Sequence, residues 1–189
     1  MAYELRTTEP AGVPISAEDA KKHAQVEHTD DDGYIALLIQ AATNYAENYT
    51  GRAFFTQTLT HYVDAFPITT FKLQRRPILS VASVTYVDAN GATQTLAASQ
   101  YKLSIPQGIV ERANGVSWPA TRLEADAVLL AYVAGYGDQN AIPQALRQAI
   151  AMIVAHWYEA RVPIVTGTIV AKVPLHVESI LDQYRIYAV

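Results

Sequence analysis

A change of hydrophobic period cuts this chain into three, and that change limits the folds open to it. From Asp30 to Arg52 the residues Ile35, Leu38, Ile39, Ala42, Ala46 and Tyr49 recur at helical spacing. From Phe54 to Ala134 the pattern becomes alternation. FFTQTLTHYVDAF is rich in threonine and aromatics, and SVASVTYVDANGATQTL reads as a strand, an Asn90-Gly91 turn and a second strand. YKLS, GIVER and AVLLAYVA add further strands, punctuated by Pro67, Pro77, Pro106 and Pro119. Five or six strands are expected. Their short connections make them mostly antiparallel, because parallel pairs need long crossovers. From Ile142 to Arg161 the helical period returns, with Leu146, Ile150, Ile153, Val154 and Trp157 on one face.

The flanking residues place the helix ends. In ISAEDAKKHAQV, Ser16 is followed three residues later by Asp19, which is close to a capping box and predicts a helix over Ala17 to Gln25. Asp30 to Asp32 are expected to cap the longer helix, and Gly51 to end it. Asn140 is the expected cap of the third helix, with Pro143 in its first turn. LHVESILDQYRIYAV closes with a last helical pattern at Val177, Leu181, Tyr184 and Ala188. The expected fold class is α+β: a bundle of two N-terminal and two C-terminal helices, interrupted by a mostly antiparallel β region. With 189 residues and no internal repeat, one domain over 1–189 is expected, with 54–134 as its β-rich insertion.

Composition narrows the function. Half the residues are hydrophobic, enough for a core, and the net charge is −4. That balance argues against a protein whose main work is gripping nucleic acid, which needs a basic surface. There is no cysteine, so disulfides, zinc-thiolate sites, iron–sulfur clusters and a thiol nucleophile are excluded. The opening MAYELRTTEPAG lacks the apolar core of a signal peptide, and no apolar run approaches the roughly 20 residues needed to span a bilayer. A role away from membranes is expected.

Motifs of catalysis are sparse. Gly135-Tyr136-Gly137 is half of a dinucleotide fingerprint, but Asn140 stands where the third glycine belongs. The reading that remains is a structural turn formed by Gly135, Gly137 and Pro143, using glycine's freedom at positive φ. In EHTDDDG, a calcium loop starting at Asp30 would put Ala41 where a bidentate Glu is required. Those acids read instead as a solvated helix start. The five histidines form no zinc motif, and Ser117 in GVSWP lacks the second glycine of a nucleophile elbow. No catalytic residue, metal or cofactor is expected. QRRP, Gln74 to Pro77, holds a tight basic doublet.

Two apolar stretches occupy places that are usually polar. VPIVTGTIVAKVP, Val162 to Pro174, joins two helices with a single charge, Lys172. Val162, Ile164, Val165, Ile169, Val170 and Val173 are candidates for an arm that contacts a neighbouring subunit, since an unpaired apolar strand would aggregate. The second stretch is IYAV at the end of the sequence. With Leu181 and Tyr184, the residues Ile186, Tyr187 and Val189 are candidates for a docking tail.

The same residues carry a family likeness. ISAEDAKKHAQVEHTDDDGYIALLIQAATNYAENYTGRAFFTQT resembles the opening of the head–tail connector, or adaptor, proteins of long-tailed bacteriophages and prophages. LQRRPILSVASVTYVDANG and YVAGYGDQNAIPQALRQAIAMIVAHWYEAR resemble later stretches of that family, in the same order. The resemblance is to the longer branch, which carries a central β region. It implies a non-enzymatic virion protein of the neck, made in the host cytoplasm. It also implies a dodecameric ring under the portal protein, with the tail docked on the portal. Further implied are a downstream neck or tail-completion partner and double-stranded DNA passing through the channel without specific binding. A small-ligand-binding or hydrolytic α+β domain with a dispersed site is the alternative, and it would require a concave pocket with convergent polar groups.

Overall fold

In the computed structural model the chain divides into two compact units. One takes Met1–Ala11 and Thr56–Tyr136, the other Gly12–Phe55 and Gly137–Val189. The structure describes residues 2–8, 10, 12–160 and 173–187. Within these lie four helices and two antiparallel sheets, an α+β fold as the periodicity predicts.

The helical unit holds α1 (Ala17–Ala24), α2 (Asp32–Thr50), α3 (Gln144–Glu159) and α4 (Leu175–Asp182). The start of α1 is fixed as its sequence predicts. The Ser16 hydroxyl accepts the Asp19 N–H at 3.0 Å and donates to the Asp19 carboxylate at 2.8 Å. Gln25 then ends the helix in the left-handed region. Gly51 does the same for α2 at φ 70, returning its N–H to the Glu47 carbonyl. The start of α2 differs from expectation. Asp31 is the N-cap residue but makes no side-chain capping bond; its carboxylate accepts the Tyr158 hydroxyl at 2.7 Å instead. Asp32 pairs with Lys21 at 2.6 Å. These acids join helices to one another instead of only capping one.

The apolar stripes meet as their spacing requires. Ile35, Leu38 and Ile39 of α2, Leu146, Ile150, Ile153 and Val154 of α3, and Val177 and Leu181 of α4 are buried. Fully burying such a side chain is worth about 1.5–3 kcal/mol. The last helix is shorter than the sequence suggests: it ends at Asp182, and Tyr184 lies beyond it.

The β unit holds β1 (Ala2–Thr8), β2 (Gln57–Val63), β3 (Thr70–Lys72), β4 (Ile78–Val87), β5 (Thr93–Thr95), β6 (Tyr101–Ser104), β7 (Ile109–Arg112) and β8 (Val128–Ala134). Five strands form one sheet in the order β1-β2-β8-β4-β5, and three form another in the order β3-β7-β6. The Asn90-Gly91 turn joins β4 to β5 as expected, with Gly91 at φ 85 and the Asp88 carboxylate accepting the Asn90 and Ala92 N–H groups. Seven strands lie between 54 and 134, where five or six are expected; the strand not anticipated is β3, only three residues long.

Strand β1 has no counterpart in the sequence reading, and its chemistry explains why. Glu4 pairs with His61 and Arg6 with Leu59 across β1 and β2. The inward residue is thus a carboxylate, while Leu5 on the other face is 51% exposed. The usual polarity of alternation is inverted, so the strand does not announce itself.

Candidate assembly surfaces

The segment just after α4 is held by the end of α2. The Ile186 N–H donates to the Thr50 carbonyl at 2.8 Å, and Arg52 Nε donates to the Tyr184 carbonyl. Thr50 closes α2, so its carbonyl is one of the acceptors a helix end leaves without an intrahelical partner. Arg185 completes the clasp. Its guanidinium carbon lies 4.9 Å from the Tyr49 ring centre and 5.4 Å from that of Tyr187, and Tyr49 donates its hydroxyl to Asp182 at 2.9 Å. That bond to a carboxylate raises the Tyr49 hydroxyl's pKa, because ionising it would set two negative groups together.

The predicted tail residues therefore separate. Leu181 is fully buried in its own helical unit and offers no docking face; its position one turn after Val177 makes it a core residue of α4. Tyr184 and Ile186 are half-buried, stitched through their backbones. Tyr187 stands out at 66% exposure. Val189 lies outside the described residues. Of the predicted arm, Val173 is buried, while Val162, Ile164, Val165, Ile169 and Val170 fall outside the described residues.

Next to the clasp runs a row of aromatic rings that the sequence reading missed. Tyr45 stacks on Tyr49 at 6.0 Å and meets the edge of Trp157 at 6.0 Å; further along, Tyr34 meets Tyr158 at 6.3 Å. Tyr34, Tyr45 and Tyr49 are spaced by eleven and four residues, which a helix returns to one side. That spacing is the signal in the sequence, masked because Tyr49 also falls on the apolar stripe of α2. Leu37, one turn from Tyr34, is 63% exposed.

The double glycine lies at the exit of β8. Gly135 and Gly137 have φ 136 and 119, and Gly137 bridges in parallel to Phe55. The Asp138 carboxylate caps a short 3-10 turn, Gln139–Ala141, by accepting the N–H groups of Asn140 and Ala141. Asn140 is thus inside that turn and does not cap α3, whose N-cap is Pro143 at φ −50.

Buried polar chemistry in the β unit centres on Glu4. It accepts the Tyr132 hydroxyl at 2.8 Å and the Gln74 N–H at 2.9 Å, and lies 3.3 Å from His61 Nδ1. Burial, then the neighbouring Glu4 charge, pushes the Tyr132 hydroxyl far above its ordinary range. The group ties β1 to β2, β8 and the chain after β3, and so fastens the sheet together. A polar notch between α1 and α3, lined by Asp19, His23 and Arg147 among others, encloses about 200 Å³. Ligand pockets are usually larger, about 300–1,000 Å³. Among the described residues no three His, Asp or Glu side chains are grouped to hold a metal ion, and no helix is long and apolar enough to cross a membrane.

Comparison with known proteins gives a coherent result. The family model described as head completion protein matches residues 14–187. No curated protein matches. Among solved structures, a chain in the neck of an empty gene transfer agent particle, computed with C6 symmetry, is 21% identical. It superposes with a TM-score of 0.80, covering 99% of this chain and 97% of that one. A chain in the virion of the native gene transfer agent particle is 21% identical with a TM-score of 0.80, over 98% and 96%. A third, from the neck of the native particle computed with C12 symmetry, is 21% identical with a TM-score of 0.76, over 100% and 97%.

Proposed function

This chain belongs to the head completion protein family, and on that premise we propose that it is a structural protein of the virion neck. Copies close into a dodecameric ring between the capsid portal and the next neck or tail component. The ring continues the channel through which double-stranded DNA passes. The role is non-catalytic. The observation that carries this reading is the family match over nearly the whole chain; a fold shared end to end with a neck chain of a gene transfer agent particle supports it.

The clasp at the end of α2 supplies a docking mechanism. A tail stitched at Tyr184 and Ile186 presents Tyr187 in a fixed direction, beside Arg185 and the Tyr49 ring. Tyrosine and arginine are the residue types that most often dominate interface energetics, because they offer large rigid area with a polar end. Prior ordering of the backbone lowers the entropy lost on docking to the portal. In this reading Val162, Ile164, Val165, Ile169 and Val170 of the predicted arm contact the neighbouring subunit in the ring, while the buried Val173 stays with its own chain. Co-expression with the portal protein of the same particle tests the reading: a stable portal–ring complex is expected, and a chain that never associates with the portal contradicts it.

A further inference from the structure

Charge is unevenly laid out along this chain. Residues 70–76 and 101–112 hold five basic residues, Lys72, Arg75, Arg76, Lys102 and Arg112, against one acid, Glu111. The remaining residues hold nine basic and seventeen acidic side chains. These two segments are β3 with the turn after it and the β6–β7 hairpin, so the cationic excess is gathered on the three-stranded sheet.

The register places the lysines together. Lys72 lies opposite Ile109, and Lys102 opposite Glu111. Phe71 and Val110 are buried, so their alternating neighbours Lys72, Lys102 and Glu111 take the other face, and all three are exposed. Strand β7 lies between β3 and β6, so the two lysine-bearing strands are about 10 Å apart, a distance their flexible stems bridge easily. Arg112, at the end of β7, is exposed too, but it follows Glu111 and so lies on Val110's side of the sheet, leaving Lys72 and Lys102 as the cations of the outer face. Arg76 is pinned at the hairpin tip. Its guanidinium lies against Gly108, at φ 64, in the space that any Cβ there would take.

We infer that the outer face of this small sheet is the surface of the ring that meets the phosphates of double-stranded DNA; the inference rests on the neck-ring reading above. Its chemistry fits a polyanion better than a protein. Protein interfaces are depleted of lysine at their centres and enriched in aromatic side chains. This face has lysines and no aromatic ring, and nucleic-acid interfaces are the more strongly positive class. Lysines contact phosphate without reading bases. Glu111 between them tempers the grip, which suits DNA that must slide.

The test is fluorescence anisotropy of a random-sequence duplex with the purified chain across a salt series. Wild type is compared with the double variant Lys72→Gln, Lys102→Gln and with Lys22→Gln as a control on α1. Folding is checked by circular dichroism and assembly by light scattering on the same samples. Expected is weak binding by wild type that falls with salt. The double variant should lose roughly two units of the log–log salt slope, at about 0.9 per lost phosphate contact. The control should match wild type, and assembly should be unchanged. Salt-dependent binding identical in the double variant, or absent from wild type at low salt, overturns the inference. A double variant that keeps DNA binding but no longer assembles also overturns it, and assigns the face to an acidic surface of a neighbouring copy. Failure of wild type to assemble with its portal is a separate result, and it counts against the ring itself.

Discussion

The Ile186 N–H and the Thr50 carbonyl, 136 positions apart in sequence, meet at 2.8 Å. This hydrogen bond joins the segment after α4 to the end of α2. A neutral bond of this kind contributes about 0.5–1.5 kcal/mol, and an exposed cation–π contact such as Arg185 on Tyr49 about 0.5–1 kcal/mol. Truncation after Tyr184 removes both. The expected result is a folded chain less stable by about 1–2.5 kcal/mol, read from the urea midpoint, with weakened retention by the portal in pull-down.

Leu181 and Tyr187 lie six residues apart and should behave oppositely. Leu181→Ala opens a cavity among buried helices and should cost about 2–5 kcal/mol of stability. Tyr187→Ala removes a mostly exposed ring and should cost less than about 1 kcal/mol, while portal docking falls. Thermal melts and portal pull-downs on both variants separate core from surface.

Gly137 should tolerate no side chain even though there is room for one. A Cβ would meet only the Ala141 Cβ, at 3.7 Å, so sterics with neighbours are mild. The backbone at φ 119 is the obstacle. Gly137→Ala is expected to destabilise by about 1–3 kcal/mol, measured by chemical denaturation.

Tyr132 sets an alkaline limit. Its folded-state pKa is raised, by burial first and by Glu4 second. The stability tied to its neutral hydroxyl is fully present below the unfolded value of about 10 and is lost as pH rises through the folded value. Tyr132→Phe deprives the Glu4 carboxylate of a donor and should cost about 1–3 kcal/mol near neutrality. The same variant should lose stability less steeply between about pH 9 and 11. Urea midpoints across that range check both effects.

The sequence disclosed the helices because their ends are chemically marked. Ser16 with Asp19, and Gly51, act locally and are legible one residue at a time. Strand β1 was not legible, since Glu4 faces inward to a hydroxyl on β8 and an N–H after β3, partners more than 65 residues away. The end of α4 was illegible for a similar reason. Tyr184 keeps the helical spacing, but the Arg52 side chain takes its carbonyl and Thr50 takes the next available N–H, at Ile186. The clasp on α2 could not be foreseen from the tail alone, because its other half is Tyr49, Thr50 and Arg52. The basic doublet in QRRP was visible, but the excess to which it belongs appears only when β3 and the β6–β7 hairpin are laid side by side.

Ring formation at the portal is the central claim, and cryo-electron microscopy of the chain co-purified with the portal protein of its own particle tests it most directly. The account predicts a closed dodecameric ring seated on the portal, with the Tyr187 side of each subunit toward it. A chain that remains monomeric beside the portal, or that joins it only through the β unit, would contradict it.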